Sequence, residues 1–240
     1  MNKVEAIILA GGRGTRLRSI TGELPKPLAP IGGRPFLDLM LVRMRRFSRF
    51  RRVVLSVGYG ADKIIERYKG KGIEEFGFDI EFAEEKDLLD TGGAVRFAME
   101  FVEGEEFFVL NGDTFVDLDF GELWDFHKSH GGNWTVLVKE VEEGKRYGVV
   151  DFDSSGRVKG FVEKEEGCGR CFINAGVYIF SKCLFERVPI GSKVSLERDL
   201  LPSFIKEKGY VFPFSGLFFD IGTPESYLMA SKIIGEFCDE

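Results

Sequence analysis

Short, nearly continuous apolar runs punctuate the first half of the chain. Val4–Leu9, Val53–Val57, Ile80–Ala83 and Phe107–Leu110 are the lengths of strands buried on both faces. Helices are predicted between them, near Phe36–Phe47, Asp62–Tyr68 and Gly93–Phe101. Strands alternating with helices predict a parallel, doubly wound sheet. The second half is richer in strand-like runs: Trp134–Lys139, Gly148–Phe152, Val158–Val162 and Phe172–Phe180, with Asp153-Ser-Ser-Gly156 as a hairpin turn. These predict antiparallel additions to the same sheet. A helix around Leu196–Lys206, strands near Tyr210–Phe214 and Leu217–Ile221, and a helix from Pro224 complete the pattern. No repeat, low-complexity stretch or long linker interrupts it, so residues 1–240 are expected to form one α/β domain.

The first strand opens into the most informative connection. Residues 11–28 pack four glycines, three arginines and a proline-flanked lysine behind Leu9 and Ala10. Gly11, Gly12 and Gly14 remove the side chains that would keep the main chain from an anion, and successive N–H groups in such turns form a cradle. Arg13, Arg16 and Lys26 add positive charge. The spacing excludes two common phosphate loops: no lysine follows Gly14 as a P-loop requires, and the third position of a Gly-x-Gly-x-x-Gly fingerprint is Leu17.

What remains is Gly12-Arg13-Gly14-Thr15-Arg16-Leu17, then Pro25-Lys26-Pro27-Leu28 and Pro30-Ile31-x-Gly33-Arg34-Pro35. It resembles the signature of the sugar-1-phosphate nucleotidylyltransferases. The resemblance implies a Rossmann-like mixed sheet, the nucleotide-diphospho-sugar transferase fold, without the β-helix that some relatives carry after it. It also implies transfer of a nucleoside monophosphate from a nucleoside triphosphate to a sugar 1-phosphate. Leu9, Ala10, Gly11, Gly12, Arg13, Gly14, Thr15, Gly92 and Gly93 are then expected around the nucleotide. A Gly-rich surface turn with solvated basic residues is the alternative for the loop taken alone.

In open α/β sheets ligands bind beyond the carboxyl ends of the strands. Asn111-Gly112-Asp113 follows one predicted strand, and Asp220-Ile221-Gly222-Thr223-Pro224-Glu225 closes another. Two carboxylates beside a polyphosphate suit Mg²⁺, which keeps several waters and takes phosphate oxygens besides. Both positions match family motifs, so Asp113 and Asp220 are the expected metal ligands, although either alone could be a turn or capping residue. By the same resemblance Glu163 and Asn174 hold sugar hydroxyls, the Gly148 backbone approaches the ring, and Lys164 grips the sugar phosphate. Without that frame Lys164 would be a surface lysine in a charged run. Arg16, Lys26, Asp113, Lys164 and Asp220 form the expected catalytic set.

Glu85 stands where thymidylyl- and uridylyltransferases of the family place glutamine. A carboxylate only accepts hydrogen bonds, whereas an amide also donates. Guanine offers two adjacent N–H donors, so GTP is the expected donor. Glu85 could instead be one of a surface acidic run, and Lys86 departs from the proline expected next. The compact length and Ser195-Leu-Glu-Arg-Asp-Leu-Leu-Pro202 resemble D-glycero-D-manno-heptose 1-phosphate guanylyltransferases more than mannose 1-phosphate ones. Glucose 1-phosphate with dTTP or UTP, and a non-catalytic sugar-nucleotide sensor, are the alternatives.

Composition changes this picture little. The 240 residues are 44% apolar, enough for a full core. No run approaches the roughly 20 apolar residues that cross a bilayer, and the first residues lack a signal-peptide layout, so a cytoplasmic protein is expected. The net charge of −6 hides an excess of 12 Lys+Arg over 3 Asp+Glu in residues 1–52. Nucleic acid would attract such a segment, but no RNA motif accompanies it. Arg43, Arg45, Arg46, Arg49, Arg51 and Arg52 fall on one predicted helix and its exit, where a solvated face is expected. His127 and His130 are placed on a polar helix end, away from any motif. Cys168-Gly-Arg-Cys171 lacks the second pair a structural zinc needs, so Cys168, Cys171, Cys183 and Cys238 are expected to be thiols.

Overall fold

A computed structural model describes residues 3–142, 147–162 and 169–237, the side chains of 162 and 235–237 excepted. Its elements are β1 (Val4–Leu9), α1 (Arg18–Thr21), β2 (Pro30–Ile31), β3 (Arg34–Pro35), α2 (Phe36–Arg45), β4 (Phe50–Val57), α3 (Ala61–Tyr68) and β5 (Asp79–Glu84). There follow α4 (Asp90–Ala98), β6 (Glu106–Asn111), β7 (Thr114–Val116), α5 (Phe120–His130), β8 (Trp134–Val141), β9 (Val149–Phe152) and β10 (Val158–Val162). The chain ends with β11 (Cys171–Ser181), α6 (Leu201–Phe204), β12 (Gly209–Phe214), β13 (Phe218–Asp220) and α7 (Pro224–Phe237).

The predicted parallel half is β6-β1-β4-β5, adjacent strands joined through helices. Residues of β1 alternate between two buried clusters: Ala6 and Ile8 face α2 and α3, while Ile7 faces α4 and α6. Apart from Glu5 the strand is apolar throughout, the consequence of helices covering both faces. β11 runs antiparallel to β6 and extends the sheet through β9 and β10 on one side and β8 on the other.

Two strand placements that the sequence left open are decided, and two expectations are corrected. β12 joins β8 in parallel: antiparallel β11 ends beside Trp134, and β12 starts beside the same residue on the other edge of β8. β13 leaves the large sheet and pairs with β7, a strand too short to be legible as a run. Leu196–Leu200 is a wide π-type turn, and regular α-helix is confined to α6. His127 is buried, with Nδ1 2.8 Å from Thr135 Oγ1 and Nε2 3.5 Å from Glu106 Oε1. The end of α5 packs on β6 and β8, which its polar sequence does not reveal.

The arginine-rich segment is also less solvated than expected. Arg43 pairs with Asp117, Arg49 with Asp125, and Arg51 and Arg52 with both Glu5 and Glu103. Glu5 is buried and accepts from the Glu103 and Gly104 N–H groups as well. Cys183 is a free thiol, as expected; Cys168, the CxxC partner of Cys171, and Cys238 lie outside the described residues. Among the described residues no helix is long and apolar enough to cross a membrane.

Candidate active site

The carboxyl ends of β1, β4, β5 and β6 converge on a cavity of about 670 Å³. Its wall begins with Leu9, Ala10, Gly11, Gly12, Arg13, Gly14 and Arg16, the connection that follows β1. Gly11 is glycine for a steric reason: a Cβ there would stand 3.0 Å from Glu85 Oε1 and 3.1 Å from the Gly58 backbone N. Thr15 opens the single turn Thr15–Leu17, whose Leu17 is buried. It is not among the cavity-lining residues, whereas Arg16 is. Arg13 and Arg16 make no ion pair with a described residue.

Lys26 crosses to the far side of the loop. Its Nζ donates to Asp113 Oδ2 at 2.7 Å, a contact spanning 87 residues of sequence. Asp113 is brought to Asp220 by the β7–β13 pair, in which Thr114 faces Asp220 and the Ile221 N–H donates to the Asp113 carbonyl. Asp220 is buried. Its Oδ1 accepts from the Gly222 N–H at 2.6 Å and Ser226 Oγ at 3.0 Å, and its Oδ2 accepts from the Tyr147 hydroxyl. Among the described residues no three His, Cys, Asp or Glu side chains cluster to hold a metal. A cation at this pair would complete its shell with water and phosphate oxygens, which is the habit of Mg²⁺ rather than of a caged ion.

Glu85 forms the opposite wall. Oε1 accepts from Ser56 Oγ at 3.1 Å and Oε2 from the Leu89 N–H at 3.0 Å. Burial pushes its carboxyl above the ordinary value, and the two hydrogen bonds oppose that shift. Each oxygen keeps a lone pair, so the group can still accept from a ligand.

Gly92 and Gly93, expected around the nucleotide, pack against residues 192–196 and are not among the cavity-lining residues. Both N–H groups donate to the Val194 carbonyl, at 2.9 and 3.0 Å, and a Cβ on Gly93 would stand 2.1 Å from the Ser192 carbonyl oxygen. Their smallness lets α4 lie against residues 192–196. Thr91 completes that junction, accepting from the Leu196 N–H at 2.8 Å and donating to Glu197 Oε2 at 2.6 Å. Ser56, Leu88, Asp90, Thr91, Ala94, Asn111, Lys193 and Glu197 line the cavity without having been anticipated as site residues. Asn111 carried a signal, the end of a strand. Glu197 carried one only as part of Ser195–Pro202, and Lys193 carried none, since only the fold brings that segment over α4.

Two of the expected sugar-side residues meet: the Asn174 N–H donates to the Gly148 carbonyl at 2.9 Å. The Asn174 side chain turns back on its own strand, accepting from the Gly176 N–H at 3.0 Å and donating to the Tyr178 hydroxyl at 2.7 Å. Glu163 and Lys164 lie outside the described residues.

Comparison with known proteins agrees with this geometry. The chain is 39% identical over 233 residues to the D-glycero-alpha-D-manno-heptose 1-phosphate guanylyltransferase of Aneurinibacillus thermoaerophilus, covering 95% of this chain and 97% of that one. It is 35% identical over 230 residues to the mannose-1-phosphate guanylyltransferase catalytic subunit beta of Drosophila pseudoobscura pseudoobscura, covering 95% of this chain but 61% of the subunit's length. The crystal structure of HddC from Yersinia pseudotuberculosis superposes with a TM-score of 0.84 at 35% identity, covering 96% of this chain and 99% of HddC. A second HddC structure is complexed with GMP-PN. The model of the family described as nucleotidyl transferase matches residues 5–236, from the first strand to the last helix. The cavity and its loop are thus part of a shared scaffold, and the chain belongs to the nucleotidyl transferase family.

Proposed function

We propose that residues 1–240 act as one nucleotidylyltransferase domain that transfers GMP from GTP to a sugar 1-phosphate of the manno-heptose or mannose type. The observation that carries this reading is a single cavity whose phosphate loop has a carboxylate, Glu85, beneath Gly11 at one end and the Lys26–Asp113 pair at the other. The relatives that act on those sugars, and the HddC complex with GMP-PN, support the choice of base and sugar.

The chemistry requires no general base. A phosphate monoester has a second pKa of about 6, so at neutral pH the sugar phosphate is already an anionic nucleophile. One of its oxygens bonds to the α-phosphorus of GTP while the bond from that phosphorus to the bridging oxygen breaks, and pyrophosphate leaves with the electron pair. The protein positions these groups and neutralises charge. Arg16 and Lys26 would neutralise the leaving pyrophosphate, and Lys164, by the family resemblance, would take the incoming phosphate. Asp113 and Asp220 would hold Mg²⁺, which supplies neutralisation of the reacting phosphates.

The test is a matrix of GTP, ATP, CTP, UTP and dTTP against mannose, manno-heptose and glucose 1-phosphates, read by pyrophosphate release with Mg²⁺. Turnover concentrated in the GTP row with a manno-configured sugar is expected. Preference for UTP or dTTP would overturn the guanine assignment, and no release in any cell would favour a sensor.

A further inference from the structure

On one face of the sheet the last rungs of β4, β1 and β6 stand side by side, Ser56 beside Leu9 and Leu9 beside Asn111. Ser56 and Asn111 are two strand spacings apart, about 9.5 Å. Ser56 is committed to Glu85. Asn111 lines the same cavity, and its Oδ1 is shut from solvent with no hydrogen-bond partner among the described residues. Native structures seldom leave a buried carbonyl oxygen unmet.

The neighbouring strand is shaped around this amide. In β11 the ladder to β8 is irregular between Asn174 and Tyr178, and Gly176 sits at φ 71° inside the irregularity. A Cβ on Gly176 would stand 2.8 Å from Asn111 Nδ2. Asn174, to which the family resemblance gives a sugar hydroxyl, already spends its oxygen on the Gly176 N–H and its nitrogen on Tyr178. Of the two asparagines, Asn111 is the one that lines the cavity and whose buried oxygen is wholly unmet; Asn174 keeps one N–H and one lone pair.

We propose that the Asn111 amide binds a ring hydroxyl of a substrate, either on the ribose of the nucleotide or on the pyranose of the sugar 1-phosphate. A hydroxyl donates to Oδ1 and accepts from Nδ2, whereas a phosphate only accepts and would leave Oδ1 unmet. The amide torsion is broad and roughly two-fold, so a turn about it presents either atom to the cavity. The inference rests on the nucleotidyl-transfer reading and adds a contact that fixes how the reactants lie along the floor.

Asn111→Ala and Asn111→Asp test it by calorimetry, with GTP, 2′-deoxy-GTP and 3′-deoxy-GTP in Mg²⁺, and with mannose 1-phosphate added beside a non-hydrolysable GTP analogue. Ligand-free melting is measured in parallel. Asn111→Ala is expected to weaken one substrate roughly ten- to hundredfold without lowering the ligand-free Tm. If the ribose is held, the weakening appears with GTP and vanishes with the deoxy analogue that lacks the hydroxyl. If the pyranose is held, it appears with mannose 1-phosphate alone. The Asp variant, which keeps an acceptor, is expected to lose less than the Ala variant. Unchanged affinities throughout, equal weakening of GTP and both deoxy analogues, or a ligand-free Tm several degrees lower would overturn the inference. A parent protein that binds none of these ligands would overturn the nucleotidyl-transfer reading itself, and this inference with it.

Discussion

Lys26 and Asp113 illustrate how a pair so far apart in sequence becomes one electrostatic unit. Lys26 enters from a proline-bounded single turn, with a side chain only 13% exposed, and meets Asp113 at the end of β6. Its ammonium is therefore already desolvated and aimed before any ligand arrives. Lys26→Ala and Asp220→Asn are each expected to lower kcat about a hundredfold or more while the protein stays folded. Asparagine at 220 keeps an oxygen for the Gly222 N–H and Ser226 Oγ, which is why the fold should survive it. Steady-state rates alongside circular dichroism check this; turnover within a few-fold of the parent removes either residue from the mechanism. Glu85→Gln makes a sharper demand. It sets an amide donor against a guanine donor, a buried mismatch costing about 1–3 kcal/mol, so kcat/KM for GTP should fall roughly ten- to hundredfold. UTP and dTTP should gain relative to GTP in the same variant. A uniform loss with every base would mean only that Leu89 N–H or Ser56 had lost its acceptor.

At the scale of elements, the junction of α4 with residues 192–196 controls the shape of the cavity. Gly93→Ala drives a methyl into the Ser192 carbonyl, a clash that the shared Val194 acceptor prevents from relaxing cheaply. Overpacking of this kind costs about 1–3 kcal/mol. For a chain of this length that is a Tm lower by about 3–10 °C, measurable by thermal melting. A variant with unchanged Tm and a raised KM for GTP would instead restore Gly93 to direct nucleotide contact. The seat of α5 on β6 makes a second prediction. His127, the largest contributor, and Lys128 hold the Glu106 carboxyl down at about 2, below its ordinary 4.5. Between those values the unfolded chain binds more protons than the folded one, so the contribution is present above pH 4.5 and lost as pH falls toward 2. Glu106→Gln should therefore lower stability at pH 7 by about 1 kcal/mol, after discounting for its partial exposure, and by almost nothing near pH 2. Urea unfolding at the two pH values separates these outcomes; an equal penalty at both would point to packing rather than charge.

Across the whole molecule the basic excess of residues 1–52 is redistributed by folding. Arg43, Arg49, Arg51 and Arg52 are drawn into ion pairs with acids from other parts of the chain, while Arg13 and Arg16 face the cavity. Positive charge is thereby concentrated where a triphosphate would enter, and folding and ligand binding become linked. GTP with Mg²⁺ at about a hundred times Kd should stabilise the protein by about 2.7 kcal/mol, raising Tm by about 5–10 °C. No shift at saturating concentration would show that the cavity does not take the nucleotide.

The phosphate loop, the parallel strands and the carboxylate ends of β6 and β13 were legible because each is local: a run of apolar residues, a spacing of glycines, an aspartate placed just after a strand. Glu85 was legible as an acceptor-only group, and the structure sets it in the cavity wall. Contacts between distant segments were not. The Lys26–Asp113 pair joins residues 87 apart, Gly92 and Gly93 take their meaning from Val194, and His127 is buried only because β6 and β8 meet over it. Asn111 stands between these cases. Its place after a strand is written in the sequence, yet that its oxygen is buried and unmet, with Gly176 packed against the amide nitrogen, shows only in the fold. Sequence by itself determined the elements and the chemistry available at their ends, because backbone propensity and side-chain type act over a few residues. Tertiary structure decided which of those groups remain unspent, because hydrogen-bond capacity and burial depend on partners that the chain supplies from far away.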